Sequence, residues 1–251
     1  MTQLGPRDMH VLTILAEMYG APLDLVVQML GVSQSRAYRI VAKWVEAHMV
    51  PAHRVRPVPG SSWVYPSRTA CEVLLDRPVR YWVPTPKMAA HTRAVLELRL
   101  ALTSMDLERW ISERALRAEV GVVHAGQSRP HIHDGRYLTG AGEWWAVEVE
   151  LTAKSAAAAR SAVFQALQVA QRADCAGLTY FYRGDAVNNV IRTAAAGLDL
   201  SSGPKLTVRD LDERLAEART ETSSPAARPG LRVITGGAAG HHNPTDKGKA
   251  I

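Results

Sequence analysis

Three carboxylates lie close together in residues 131–155. Asp134 precedes Gly135, where we expect a tight turn between two strands. Glu148 and Glu150 belong to a segment that alternates apolar and acidic residues, which predicts a strand with both acidic side chains on one face. Carboxylates that converge at adjacent strand ends provide the oxygen ligands that a hard divalent cation such as Mg²⁺ prefers. This segment therefore predicts a divalent-cation site.

The elements that must position these carboxylates follow from the pattern of apolar residues in the second half of the chain. A helix is expected to begin at residue 91, and Ser112 is a candidate cap for a helical turn after it. The later segments show strand or helix patterns near 131–134, 145–151, 154–173, 177–182, 186–198 and 205–209. Their order is strand, strand, helix, strand, helix, strand, which predicts a mixed sheet with helices on its faces, an α/β sandwich.

Residues 7–76 show the pattern of a helix-turn-helix followed by a hairpin. Gly31 and Ser33 predict a tight turn, with Ser33 as the N-cap of the helix that follows. Helices are expected at 7–18, 23–30 and 34–47, strands at 49–56 and 61–65, and a short helix from Ser67 to Leu75. This order predicts a winged helix-turn-helix.

The third helix of this region has one apolar and one polar face. The polar face suits a helix that lies in the major groove of DNA, and it carries Gln34, Ser35, Arg36, Tyr38, Arg39 and Lys43. On the predicted hairpin, Arg54 and Arg56 are placed to contact phosphate or the minor groove. Two alternatives remain open: a helical bundle whose polar face is only solvated, and a winged helix that pairs with protein.

Composition and charge indicate the class of protein. The net charge is +6, and residues 1–90 carry 10 basic against 6 acidic side chains, which favours nucleic-acid binding there. No apolar run reaches the roughly 18 residues that span a bilayer, and the N-terminus has no signal-peptide pattern. Cys71 and Cys175 lie far apart in apolar surroundings and are expected to be reduced. We expect a cytoplasmic protein that does not enter a membrane.

Shifts in composition predict the domain boundaries. Residues 77–90 contain three prolines and no periodicity, which indicates a linker. The chain is expected to divide into a winged helix-turn-helix domain at 1–76, the linker at 77–90, the sheet domain at 91–210, and a charged helix with a disordered tail at 211–251.

Three motifs carry a resemblance to a known family. They are Trp110-Ile-Ser-Glu-Arg-Ala-Leu116, His133-Asp-Gly135 and Glu148-Val-Glu-Leu-Thr-Ala-Lys-Ser155. With them, the chain resembles the replication–relaxation family of actinobacterial plasmids and integrative elements over roughly residues 8–210. The resemblance implies a winged helix before a restriction-endonuclease-like domain of the PD-(D/E)XK type, hence an α+β protein, and a role in plasmid replication, relaxation or transfer.

The resemblance also implies roles for individual residues. Asp134 and Glu148 match the acidic ligands of the nuclease motif and would hold Mg²⁺ or Mn²⁺, although His133 stands where proline is usual. Glu150 occupies the position of the motif lysine and would be a ligand or a water-orienting base. Lys154, four residues later, would supply the positive charge. Glu113 resembles an additional acidic residue on an upstream helix, and Gln165 or Gln168 would orient a phosphate or water.

Histidines offer a weaker metal site. His124, His131 and His133 are candidate zinc ligands, but no Cys or His partner has the expected ligand spacing. His241 and His242 lie in a Gly-, Ala- and Pro-rich tail and are expected to be unstructured. We therefore give these histidines less weight than the carboxylates.

Two functions remain as hypotheses. The first is a metal-dependent DNA endonuclease or nickase of a mobile element, directed to double-stranded DNA by its winged helix. The second is a non-catalytic, sequence-specific DNA-binding protein or transcriptional regulator with a degenerate nuclease-like domain. The sequence leaves open whether a homodimer forms.

Overall fold

The computed structural model of the chain describes residues 3–121, 126, 130–201 and 203–223. The predicted tail from residue 224, the pair His241 and His242, and His124 lie outside these residues. The first part of the described chain contains α1 (Pro6–Glu17), β1 (Ala21–Pro22), α2 (Leu23–Leu30), α3 (Gln34–Glu46), β2 (Trp63–Val64) and α4 (Arg68–Leu75). The second part contains α5 (Pro86–Thr103), β3 (Trp110–Ser112), α6 (Glu113–Val120), β4 (Gly135–Leu138), β5 (Trp144–Glu150), α7 (Ala156–Arg172), β6 (Gly177–Tyr182), α8 (Asp185–Ala196), β7 (Lys205–Asp210) and α9 (Leu211–Ser223).

A tight turn joins α2 to α3. Gly31 ends α2 in the left-handed conformation, with φ of 62°, which a glycine adopts without steric cost. Ser33 takes the N-cap position as expected, but its Oγ lies 3.3 Å from the Oγ of Ser35 and does not cap a backbone N–H. Ala37, Ile40 and Trp44 are buried, so α3 turns its apolar face to the core.

The expected hairpin at 49–56 and 61–65 does not form as two regular strands. Trp63 and Val64 pair instead with Ala21 and Pro22, and Val55 is joined to Trp63 only by an isolated bridge. The physical reason lies in three prolines that lack the N–H groups of a continuous ladder: Pro51 within the first expected strand, and Pro57 and Pro59 in the connection after it.

Helix α5 begins inside the predicted linker. Thr85 is at its N-cap and Pro86 at its first position, where proline's fixed φ and missing N–H suit a helix start. The expected start at residue 91 is therefore one and a half turns too late. Val95, Leu96 and Leu98 bury one side of this helix.

The second part of the chain forms a five-stranded mixed sheet in the order β3-β4-β5-β6-β7. The β3–β4 and β4–β5 pairs are antiparallel, and the β5–β6 and β6–β7 pairs are parallel. Helices α7 and α8 bury their apolar residues on the face that carries Ala146, Leu178 and Tyr180. Helices α5 and α9 pack on the opposite side, against Val147 and Phe181. The predicted mixture of helices and strands in an α+β chain is confirmed.

The expected turn at Gly135 is wrong. Gly135 is the first residue of β4, and the β4–β5 turn lies later, between Thr139 and Glu143. A Cβ at Gly135 would lie 2.2 Å from the indole of Trp110 on β3. Glycine is needed here for the close approach of that indole and not for a turn conformation.

One apolar cluster extends across the two parts of the chain. The same buried cluster contains Leu12 of α1, Trp44 of α3, Leu98 of α5 and Phe181 of β6. Arg99 of α5 is fully buried, and its Nη1 lies 2.5 Å from a carboxylate oxygen of Glu17 on α1. The helices before residue 76 therefore pack directly on the sheet domain through α5.

None of the helices in the described part of the chain combines the length and the apolar character that membrane crossing requires.

Candidate functional site

Asp134 is held between the sheet and α5. It immediately precedes β4, and one of its carboxylate oxygens accepts a hydrogen bond from the backbone N–H of Val149 at 2.7 Å. The other oxygen lies 2.9 Å from Nε2 of His91 on α5. Burial alone would lower the pKa of His91, but the hydrogen bond to Asp134 and the charges of Asp134, Glu113 and Glu148 raise this pKa to about 9. Asp134 is therefore paired with a protonated histidine at neutral pH.

Glu148 has a second histidine partner. Its Oε1 lies 2.8 Å from Nε2 of His131, and only 13% of its side chain is exposed. Burial raises the pKa of Glu148 to about 7, with a further contribution from the charge of Asp134, whereas the hydrogen bond with His131 acts in the opposite direction. Burial lowers the pKa of His131, but its contact with Glu148 raises the value overall. The two side chains thus stabilise each other's charged form across the hydrogen bond.

Glu150 and Lys154 form an ion pair where β5 leads into α7. The side chains of Glu148 and Glu150 leave the same face of β5, as the alternation predicted. Ala146 lies on that face too, and it packs under α7. Tyr180 is the β6 partner of Glu148, and its buried hydroxyl has no hydrogen-bond partner among the described residues. Burial, followed by the charges of Glu148 and Glu150, raises the pKa of Tyr180.

Glu113 shares a cleft with Asp134. It is the first residue of α6, whose N-cap Ser112 accepts a hydrogen bond from the N–H of Ala115, as expected. Glu113 pairs with Arg117 one turn later and lines the cleft together with His91 and Asp134. The predicted carboxylates Glu113, Asp134, Glu148 and Glu150 therefore lie at the same end of the sheet.

The predicted glutamines do not turn toward this site. Gln165 and Gln168 are exposed on α7, and the Gln165 amide donates to the Oγ of Ser161 at 3.1 Å. The side of α7 that packs on the sheet is built from small residues, including Ala159 and Ala166.

The burial of His133 was not apparent from the sequence. It is fully buried, and its Nε2 lies 3.0 Å from the carbonyl oxygen of Ala166 on α7. Its Nδ1 has no hydrogen-bond partner among the described residues. Burial lowers the pKa of His133 to about 4, so the ring is neutral at physiological pH.

Two histidines and one carboxylate converge at this point. One ring nitrogen each from His131 and His133 and one carboxylate oxygen of Glu148 all lie within 4.8 Å of one another. Asp134 is not part of that group. The signal in the sequence is the spacing of two between the histidines in an extended segment, which suits a common site. The third candidate ligand is a carboxylate, Glu148, and not a Cys or His.

Asp134 and Glu148 are of the ligand type that Mg²⁺ prefers, but both carboxylates already have histidine partners. Both are carboxylates, and carboxylate oxygens can accept a cation in addition to a hydrogen bond. Each of them is already paired with a histidine, His91 or His131. A hard cation at this position would therefore compete with His91 and His131 for the carboxylate oxygens.

The predicted DNA-binding residues surround an exposed face of α3. Gln34, Ser35, Arg36, Arg39 and Lys43 are exposed, as are Arg54 and Arg56. Tyr38 is half-buried, and the guanidinium carbon of Arg54 lies 5.4 Å from the centre of its ring. This stacking brings a basic residue of the segment after α3 beside the polar face of the helix.

The resemblance to the replication–relaxation family stays a prediction from the three motifs. In comparisons with known proteins, no family model, no curated protein and no solved structure matches this chain.

Proposed function

We propose that this chain is a double-stranded DNA-binding protein that inserts α3 into the major groove. The observation that carries the proposal is the division of α3 into two faces. Ala37, Ile40 and Trp44 are buried, whereas Arg36 and Arg39 are exposed directly after a tight turn. An exposed helix of this size fits the major groove, where arginine binds guanine or phosphate. Arg54, stacked on Tyr38, would contact the neighbouring phosphates.

The biological setting of this proposal comes from the motif resemblance. It favours a mobile element, in which the protein serves plasmid replication, relaxation or transfer. A transcriptional regulator of the element's own genes would use the same DNA-binding surface.

DNA binding is tested by fluorescence anisotropy with a pool of random-sequence duplexes, at several salt concentrations. We expect Arg36→Ala and Arg39→Ala to weaken binding and to reduce the salt slope by about one for each lost phosphate contact. Arg172→Ala, an exposed arginine on α7, removes the same charge elsewhere and is the matched control. The proposal is contradicted if DNA binding is weakened equally in all three variants, or if it is unchanged in all three.

Metal-dependent DNA cleavage is a second candidate function. It is favoured by the position of Asp134, which is bonded to the main chain of β5 beside Glu148, with Lys154 paired to Glu150. Asp134 and Glu148 would hold a Mg²⁺ or Mn²⁺ ion, which when bound polarises the phosphate and lowers the pKa of water. Glu150 would orient the attacking water, and Lys154 would stabilise the charge that develops on the phosphate.

Cleavage is tested by incubating supercoiled plasmid with the protein and Mg²⁺ or Mn²⁺. Nicked or linear product is expected with the native protein and with Glu119→Ala, whose carboxylate is exposed near the end of α6. Asp134→Ala and Glu148→Ala are expected to abolish the product. Intact plasmid with the native protein, under conditions where anisotropy shows DNA binding, rejects cleavage and leaves the binding function in place.

A further inference from the structure

We propose that His131, His133 and Glu148 form a binding site for a divalent transition-metal ion such as Zn²⁺. Their candidate ligand atoms lie within 4.8 Å of one another. In a formed tetrahedral site, ligands at about 2.1 Å from the ion lie about 3.4 Å apart, so small side-chain movements suffice to close it. This site goes beyond DNA binding and does not depend on cleavage, although Glu148 would belong to both metal sites.

His133 is prepared for a metal by its hydrogen bonding. Since a carbonyl oxygen only accepts, the contact with Ala166 places the ring proton on Nε2. The free lone pair is then on Nδ1, which is fully buried and has no partner among the described residues. A buried polar atom without a partner is costly, and a bound ion would satisfy it. Donation of the other ring N–H to a backbone carbonyl is also the usual way in which proteins orient a metal-binding histidine.

His131 and Glu148 supply the other two ligands. Their side chains already lie 2.8 Å apart, and the rings of His131 and His133 approach edge to face with centres 5.5 Å apart. Only 18% of the His131 side chain and 13% of the Glu148 side chain are exposed. The three groups are thus largely in place before an ion arrives, which reduces the entropy lost on binding.

The donor set determines the class of metal. Two imidazole nitrogens and one carboxylate oxygen suit Zn²⁺, Co²⁺ and related transition ions, whereas Mg²⁺ and Ca²⁺ favour oxygen alone. Neither cysteine of the chain belongs to the group. Three protein ligands leave a fourth coordination position for water or a substrate.

Metal content measures the site directly. The protein would carry His241→Ala and His242→Ala, so that the histidine pair of the tail binds no metal. Equilibrium dialysis against Zn²⁺, followed by elemental analysis, is expected to give one ion per chain. His131→Gln and His133→Gln are each expected to weaken Zn²⁺ binding at least about tenfold, whereas Asp134→Asn and His91→Gln retain it.

Visible absorption of bound Co²⁺ gives a second readout. We expect d–d bands of the native protein, without a thiolate charge-transfer band, and loss of the bands in His131→Gln. Because His131 is partly exposed, this variant is the least disruptive of the fold, and its thermal unfolding in the absence of metal confirms that it is folded.

Several results would overturn the site. They are less than one Zn²⁺ per chain in the native protein, undiminished binding in folded His131→Gln, or loss of binding in Asp134→Asn. The last result would place the ion on the Asp134 side, as the carboxylate-pair site requires. None of these measurements involves DNA, so failure of the metal site is distinguishable from failure of DNA binding or of cleavage.

Discussion

At the scale of single residues, the site consists of carboxylates that are each matched by a cation or a histidine. Asp134 is paired with His91, Glu148 with His131, Glu150 with Lys154, and Glu113 with Arg117. Such pairing limits the cost of burying charge at the edge of the sheet. It also makes the protonation of the paired side chains, and with it their contribution to stability, depend on pH.

The pair of His91 and Asp134 gives a testable pH dependence. The pKa of His91 is raised from 6.5 to about 9, so the folded chain holds this proton more tightly than the unfolded chain. The stabilising contribution is fully present below pH 6.5 and is lost as the pH rises through about 9. We expect the free energy of unfolding of the metal-free protein, measured with urea, to decrease over this range. The decrease should be smaller in His91→Gln, and the same slope in both proteins contradicts the argument.

The residues of the site were only partly predictable from sequence. Glu148 and Glu150 follow from a period of two within a single strand, which is local information. The contact of His91 with Asp134 spans 43 positions and depends on how α5 packs on the sheet. The partnership of His133 with Ala166 similarly depends on where α7 lies. Tertiary contacts of this kind leave no periodic signal.

At the scale of elements, glycines allow aromatic rings to pack onto the sheet. Trp110 of β3 lies over Gly135, and Trp145 of β5 lies over Gly177 of β6, where an added Cβ would come within 2.4 Å of the ring. The first contact packs β3 on β4 and the second packs β5 on β6, whereas the antiparallel β4–β5 pairing sets the position of Asp134 relative to Glu148.

The substitution Gly135→Ala tests this packing. An added Cβ would overlap the Trp110 indole, which cannot move without displacing β3, so we expect a loss of about 1–3 kcal/mol in the free energy of unfolding. Urea denaturation followed by circular dichroism measures it. Gly140→Ala, in the β4–β5 turn, meets no atom within 4 Å and is the control. A loss of equal size in the two variants would show that the effect is not due to the indole.

The boundaries of elements were predictable where local chemistry determines them. The α2–α3 turn follows from Gly31 and Ser33, and the sixth strand, β6, begins and ends where its pattern predicted. The hairpin expected after α3 does not form as two strands because Pro51 interrupts the first strand, although the pattern of the segment otherwise favours strands. Helix α7 is rich in alanine, so its sequence shows little contrast between the buried and the exposed face.

At the scale of the whole molecule, the pair of Arg99 and Glu17 joins the helices before residue 76 to the sheet domain. Arg99 is fully buried, and burial lowers its pKa, although the charge of Glu17 opposes that shift. Arg114 of α6 adds a second connection, since it donates to the carbonyl of Ala16 at 2.6 Å and lies over the ring of Tyr19. We therefore expect one cooperative unfolding transition for the described part of the chain.

Removal of one partner of this pair should lower the stability of the fold more than removal of both. Glu17→Gln leaves a buried guanidinium without its counter-charge, which costs about 3–5 kcal/mol. The double variant Glu17→Gln with Arg99→Met should recover much of that loss, because no buried charge remains. Thermal unfolding of the three proteins gives the comparison. A double variant less stable than Glu17→Gln would show that the pair itself stabilises the fold.

The shared core also determines what happens when the backbone is cut. Arg80 is exposed in the segment between α4 and α5, and trypsin can cleave after it. The two pieces would remain associated, since separating them would expose the apolar side of α5 and divide Arg99 from Glu17. The nicked protein should elute from a sizing column as one species and divide only in denaturant. The two halves would then behave as complementing fragments that are able to rebuild the fold without a covalent connection.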